Sequence, residues 1–428
     1  MSYDSVRMDE QLRVLDQSID EFIDRYNAIT TLSAFLGSNL ARQTLFLFPG
    51  GMASRLSRAT QAWDPAGPAS QVFEYEELWV NSITLLGGKA RDLRMHKTAG
   101  GDYRDKGDRI VIADGVVNLF GVTPYVGFTA WCSFKQIDWF LFPWDWRRSV
   151  DDVGTFFITR FLPHFRARVR AECNNADPLA DYSLIGHSAG GLVVNWILRT
   201  VAPIPATLPR RVITVAAPFY GYGGQLHRWF EGEPLVNVGG LFTKGIIKAI
   251  SSFPGCYSWH FLREDFYNAN RVDFQNELAS YPSADFMTNN PADPYNPQPP
   301  AQRYPTQAQS GFDTAELAKA ANLFNALTSP LSPAQAARFV NIRGDTTANN
   351  TLNTATWRLV PPIVPSPIVD TSITWGDGTQ PGWTTRDIDL FRKAPGNVIT
   401  VRGAAAAHFI IMNSPQTLAE LAAVLGIP

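Results

Sequence analysis

Apolar positions along this chain fall into two spacings, and the change from one to the other marks its elements. Short continuous runs at 45–48, 137–142, 182–185, 211–216, 338–343 and 397–402 have the length and the β-branched or aromatic content of strands buried on both faces. Between them the apolar residues recur at helical spacing. Val153, Phe157, Phe161, Phe165 and Val169 lie four apart and predict a helix with one buried stripe, which Pro163 should kink or split. Leu192, Val193, Val194, Trp196, Ile197 and Leu198 predict a buried helix directly after the third run. Leu418, Leu421 and Leu425 predict a last one, with Ser414 as its N-cap and Pro415 at its first position. Leu12, Leu15, Ile19 and Phe22 predict a further helix, against the outside of the main body. Strand and helix alternating in this way predict an α/β fold: a mostly parallel sheet with helices on both faces.

Two stretches break that rhythm. Residues 76–128 are irregular, with scattered Gly and Asp, and are rich enough in aromatics to border a pocket. Residues 222–335 carry a helical pattern at Phe242, Ile246, Ile250 and Phe253 and then a Pro- and Asn-rich run at 289–300, as expected of a cap inserted over one sheet edge. The division expected is therefore a helical extension over 1–40, a first part of the core over 41–221, the cap over 222–335, and the rest of the core over 336–428.

The chemistry concentrates after the third run. Gly186-His-Ser-Ala-Gly190 joins an apolar strand to an apolar helix, the setting of a nucleophile elbow, in which Ser188 stands at the strand tip and the helix N-terminus favours negative charge beside it. The loop after the first run, Pro49-Gly-Gly-Met-Ala-Ser-Arg-Leu56, reads as a glycine-rich turn entering a helix. By position it would present Met52 N–H, with Ala189 N–H, to an oxyanion, Gly50 and Gly51 allowing close approach.

A serine hydroxyl needs a base held in one tautomer by a carboxylate, and on this fold the partners follow in the order Ser, acid, His. Of the six histidines, His96 and His164 precede the elbow, His187 lies within it with its side chain directed away from that of Ser188, and His227 and His260 fall in the expected cap. His408 alone follows the last strand, in a loop of small residues. Two carboxylates sit in suitable turns: Asp345, directly after the strand at 338–343, and Asp377, in Trp375-Gly-Asp-Gly-Thr379. Spacing leaves both open.

Composition narrows the classes. The 428 residues are 45% hydrophobic, enough for a large core, and 37 Lys and Arg against 39 Asp and Glu leave a net charge of −2 with no basic run, so nucleic acid is not expected as a partner. A charged N-terminus and the lack of an eighteen-residue apolar stretch predict a cytoplasmic protein, or a secreted one if a leader has been removed. Cys132, Cys173 and Cys256 are odd in number and far apart, which fits reduced, buried thiols, and no pattern calls for a metal or cofactor.

Seven motifs in one order resemble the lecithin:cholesterol acyltransferase group of α/β-hydrolases. They are Phe48-Pro-Gly-Gly-Met-Ala-Ser-Arg-Leu56, Trp144-Asp-Trp-Arg147, Gly186-His-Ser-Ala-Gly-Gly-Leu192, Ala217-Pro-Phe-Tyr-Gly221, Phe253-Pro-Gly-Cys-Tyr257, Gly376-Asp-Gly-Thr379 and His408-Phe-Ile-Ile-Met-Asn413. The resemblance implies the α/β-hydrolase fold, Ser188 as nucleophile, Asp377 as acid, His408 as base, and Met52 and Ala189 as oxyanion donors. Gly51, Trp144, Trp146, Arg147 and Phe219 then border the substrate site, with bracing of the loop below it the favoured role for Trp144, Trp146 and Arg147. Gln380-Pro381 and Ala189 depart from the group's usual residues, and no cysteine pair closes a lid disulfide.

The expected activity is hydrolysis of a bulky apolar ester or lactone through an acyl-enzyme. A phospholipase or acyltransferase, touching a lipid surface through the cap, is the alternative, and a non-catalytic binding module is disfavoured by a complete triad. Ser188→Ala and His408→Ala should lower turnover of an activated ester by about four orders of magnitude, and Asp377→Ala by somewhat less. A mild Asp377→Ala beside a damaging Asp345→Ala would make Asp345 the acid.

Overall fold

A computed structural model describes residues 2–35, 42–67, 71–79, 92–101, 103–117, 124–201, 208–221, 252–258, 262–274, 277–278, 313–348, 351–359 and 367–428. Its strands, in chain order, are β1 Thr44–Phe48, β2 Ser54–Ala59, β3 Tyr75–Trp79, β4 Met95–Lys97, β5 Tyr103–Asp105, β6 Val111–Val116, β7 Asp138–Leu141, β8 Tyr182–His187, β9 Arg211–Val215, β10 Phe339–Asp345, β11 Thr351–Leu359, β12 Pro367–Thr374 and β13 Val398–Arg402. Six of them form one sheet in the order β13-β10-β9-β8-β1-β7, every pair parallel. This is an α/β arrangement, with β8 near the middle of a parallel sheet.

Strand side chains alternate between the two faces, so each central strand feeds two cores. Phe46, Phe48, Tyr182, Leu184 and Val212 join one core with the N-terminal helix Tyr3–Phe35 and the elbow helix Ala189–Thr200. Leu45, Leu47, Ile185, Ile213 and Val215 join the other, with the helices Val126–Phe134 and Pro415–Leu425. Ser414 caps the last helix, its side chain accepting from Thr417 N, and Leu421 and Leu425 are buried while Leu418 is partly so.

Pro163, expected to kink or split this helix, leaves its helical turns unbroken along the chain. Helical turns run Val150–Phe156 and Leu162–Glu172, and a wider π turn, Phe157–Phe161, lies between them. The π turn absorbs the missing proline N–H without splitting the buried stripe, in which Phe157, Phe161 and Phe165 stack at 5.4 and 5.6 Å.

One expectation is corrected. The turn after β1 does not enter a helix: residues 54–59 are β2, paired antiparallel with both β3 and β6. Local turn chemistry pointed to a helix start, but pairing with strands some twenty and sixty residues later wins, because it buries Leu56 and Ser54 completely. The stretch at 76–128 supplies those partners, as well as the hairpin β4–β5. A second hairpin, β11–β12, lies between Asp345 and Asp377. The cap helix expected at Phe242, Ile246 and Ile250 lies outside the described residues; Phe253 is buried against Trp146. Among the described residues no helix is long and apolar enough to cross a membrane, and Cys132, Cys173 and Cys256 are all buried.

A buried ionic cluster ties the N-terminal helix and the hairpin β4–β5 to the end of β7. Arg147 makes a forked pair with Asp145 at 2.9 and 2.7 Å, reaches Asp105 at 2.7 Å, and donates to Leu93 O. Tyr3 donates to the same Asp105 at 2.6 Å. Burial by itself would weaken the Arg147 charge, but Asp105 and Asp145 outweigh it and hold the guanidinium charged. Gln11 adds a paired amide, donating to Ala113 O and accepting from Ala113 N on β6. Removing one partner of such a cluster strands the others in a dry interior. Arg147→Met should cost about 3–5 kcal/mol in urea unfolding. Arg13→Ala, which breaks an exposed pair with Glu10, should cost less than about 1 kcal/mol.

Candidate active site

β8 ends at His187, and the chain turns into the elbow helix through one residue. Ser188 has φ 53° and ψ −126°, a left-handed conformation that a serine adopts only when its surroundings impose it. Ser188 N donates to Val215 O on β9 and Gly191 N to Ser188 O, which locks the turn to the neighbouring strand. Close packing imposes the rest. A Cβ at Gly190 would collide with the carbonyl oxygens of Phe48 and Pro49, and one at Gly186 with the Gly190 carbonyl.

His408 and Asp377 reach this turn from the far side of the sheet. His408 Nε2 is 2.9 Å from Ser188 Oγ, and His408 Nδ1 is 2.7 Å from Asp377 Oδ2. An acceptor carboxylate on Nδ1 places the ring proton there and leaves Nε2 to accept the serine proton. The second carboxylate oxygen, Oδ1, accepts from Thr379 N at 2.9 Å and Gln380 N at 2.6 Å, and Asp377 O accepts from His408 N at 2.9 Å. Asp377 is thus anchored by its own turn, held by the bridge between Gly376 and Pro381.

Asp345 faces elsewhere. It remains in register with β13, opposite Arg402, and its carboxylate accepts from Thr347 N and lies 3.5 Å from Arg402. The hairpin β11–β12 is what moves the useful turn thirty residues down the chain.

The loop 49–54 lies against Ser188, since a Cβ on Gly50 would sit 3.2 Å from Ser188 Cβ. Three indoles hold its carbonyls: Trp144 Nε1 donates to Pro49 O, Trp79 Nε1 to Met52 O and Trp146 Nε1 to Ser54 O, while Trp144 N donates to Ser54 Oγ. Met52 has φ 66°. Among the described residues neither Met52 N–H nor Ala189 N–H has a hydrogen-bond partner, and Gly51 stands between Gly50 and Met52 in the same turn. Two free donors at the loop and at a helix N-terminus are what a developing oxyanion needs.

The other expected site residues are structural where the structure puts them. Trp144 and Trp146 brace the loop, and Arg147 sits in the ionic cluster with no exposed surface. Phe219 is buried against Phe339, its N–H donating to Thr384 O. Two residues join the site that sequence reasoning did not assign to it. His187 Nε2 is 2.9 Å from His408 O, and His187 Nδ1 is 3.0 Å from Tyr125 Oη. A histidine next to Ser188 was visible in the elbow itself, but its partner sits sixty-two residues upstream in an irregular stretch. Among the described residues no group of His, Cys, Asp and Glu could hold a metal ion.

No family model and no curated protein matches the chain. Solved structures that it resembles include the Tle4–Tli4 complex, at 12% identity and a TM-score of 0.46 over 91% of this chain and 98% of that one. They also include the lin2722 product of Listeria innocua, at 12% identity and a TM-score of 0.31 over 90% and 94%. Both likenesses are too distant to bear on function. The packing at the elbow gives its own prediction: Gly190→Ala must push β1 and the loop 49–54 away from Ser188, and the rate of Ser188 labelling by a fluorophosphonate should fall at least about a hundredfold.

Proposed function

We propose that this protein is a serine hydrolase that cleaves carboxylic esters through an acyl-enzyme. The observation that carries the reading is the pair of hydrogen bonds from Ser188 through His408 to Asp377, set at the end of a strained strand-to-helix turn. His408 Nε2 takes the proton of Ser188 as Oγ bonds to the ester carbonyl carbon. The carbonyl oxygen becomes an oxyanion beside Met52 N–H and Ala189 N–H. Collapse of the tetrahedral species breaks the bond to the alcohol oxygen, which takes the proton from His408. Water, deprotonated by His408, then attacks the acyl carbonyl; the bond to Ser188 Oγ breaks, Ser188 takes the proton back from His408 and the acid is released, while an alcohol in place of water gives acyl transfer instead. Asp377 keeps His408 in the required tautomer and stabilises the imidazolium formed in each half.

The substrate we favour is a bulky apolar ester or lactone. Phe409 and Ile410, directly after His408, are each 43% exposed and favour a second reading. In it the protein is a phospholipase or O-acyltransferase at a lipid surface, as the resemblance to the lecithin:cholesterol acyltransferase group implies.

A fluorophosphonate should label the native protein and leave Ser188→Ala unlabelled; no labelling of the native protein would overturn the hydrolase reading. Hydrolysis of p-nitrophenyl esters of increasing acyl length, with phosphatidylcholine vesicles as a further substrate, separates the two substrate classes. Activity on soluble esters without activity on vesicles is the expected result. Activity on vesicles that rises with acyl length would establish the lipid reading in its place.

A further inference from the structure

We propose that His187 and Tyr125, neither of which touches the reacting atoms, are positioning residues that hold the oxyanion loop and the general base in one frame; the proposal rests on the hydrolase reading above. Four hydrogen bonds carry it. Gly50 N donates to Tyr125 Oη at 2.8 Å, Tyr125 Oη lies 3.0 Å from His187 Nδ1, His187 Nε2 lies 2.9 Å from His408 O, and His408 N donates to Asp377 O at 2.9 Å.

The end bonds dictate the middle ones. A carbonyl oxygen only accepts, so His187 Nε2 carries the ring proton and donates it to His408 O. The neutral ring then offers Nδ1 as an acceptor, and Tyr125 Oη, already accepting from Gly50 N, supplies its own proton there. Every donor therefore points the same way, from the oxyanion loop to the acid. The run passes behind Ser188, since His187 is its immediate neighbour in the chain.

Tyr125 and His187 are buried, and apolar side chains would fill their volume without a need for partners. What the polar pair adds is a coupling of two loops that belong to different strands of the sheet. Tyr125 is itself held from the base loop, because Asn413 Oδ1 accepts from Gly127 N and Phe128 N at the start of the following helix. Burial, and then the nearby His408, push the His187 pKa well below its ordinary value. The ring thus stays neutral, keeps the donor direction intact, and adds no positive charge 4.9 Å from the imidazole that must become charged in the reaction.

The test is kcat per active serine, with active serines counted by the amplitude of fluorophosphonate labelling, in Tyr125→Phe, His187→Phe and His187→Gln. A role confined to folding would lower the melting temperature or the count of active serines and leave kcat per serine unchanged. The positioning role predicts that Tyr125→Phe and His187→Phe lose about tenfold to a hundredfold in kcat per serine with KM little changed. His187→Gln, whose side-chain N–H can still donate to His408 O, should recover part of the loss. Tyr125→Phe removes a single oxygen atom and keeps the test open if His187→Phe does not fold. Native kcat per serine in a folded Tyr125→Phe protein would overturn the proposal and leave the hydrolase reading standing. Failure of the native protein to label would overturn both.

Discussion

The site depends on one strained turn. Ser188 sits at positive φ because β8 is flanked on both sides by strands and has a helix starting directly from its tip, so no relaxed path remains for the chain. The same closeness organises the neighbours. The elbow helix packs against the carbonyls that end β1, so the loop leaving β1 must run past Ser188. The two strands on the other side, β10 and β13, end at the same edge of a parallel sheet, and the loops that follow them bring Asp377 and His408 within reach. Parallel pairing places every loop after a strand at one edge, and a site can be assembled there from residues two hundred apart in sequence.

Rigid support for that edge comes from groups that do no chemistry. Three indole N–H groups hold the carbonyls of the loop 49–54, and each indole also fills core volume. With the loop held by its carbonyls, Met52 N–H is left to meet charge, and this costs no reorganisation when the charge appears. Below the loop, Arg147 and its two aspartates link β7, the hairpin β4–β5 and the N-terminal helix. Such a cluster adds little net stability over an apolar core of the same shape, yet it tolerates no change of register, since any slip would strand a charge.

The α/β fold, the elbow, His408 as the histidine beside Ser188 and the buried helical stripes were legible in the sequence alone. Each follows from local constraints: hydrophobic period, a strand-to-helix turn too tight for a Cβ, and the small number of histidines after the elbow. Spacing could not separate Asp345 from Asp377, and the seven ordered motifs favoured Asp377, which is the carboxylate that lies beside His408. The structure supplies the physical reason, which is that Asp345 stays in register with β13 while the hairpin β11–β12 carries the chain out and back to a second turn. The helix expected after β1 was misread because β2 is made by partners far along the chain, and pairing of that kind leaves no local signature. For the same reason only the tertiary structure brought Tyr125 to His187 and turned three tryptophans onto one loop: a hydrogen bond between distant residues depends on where the fold places both ends, and sequence spacing carries no record of that distance.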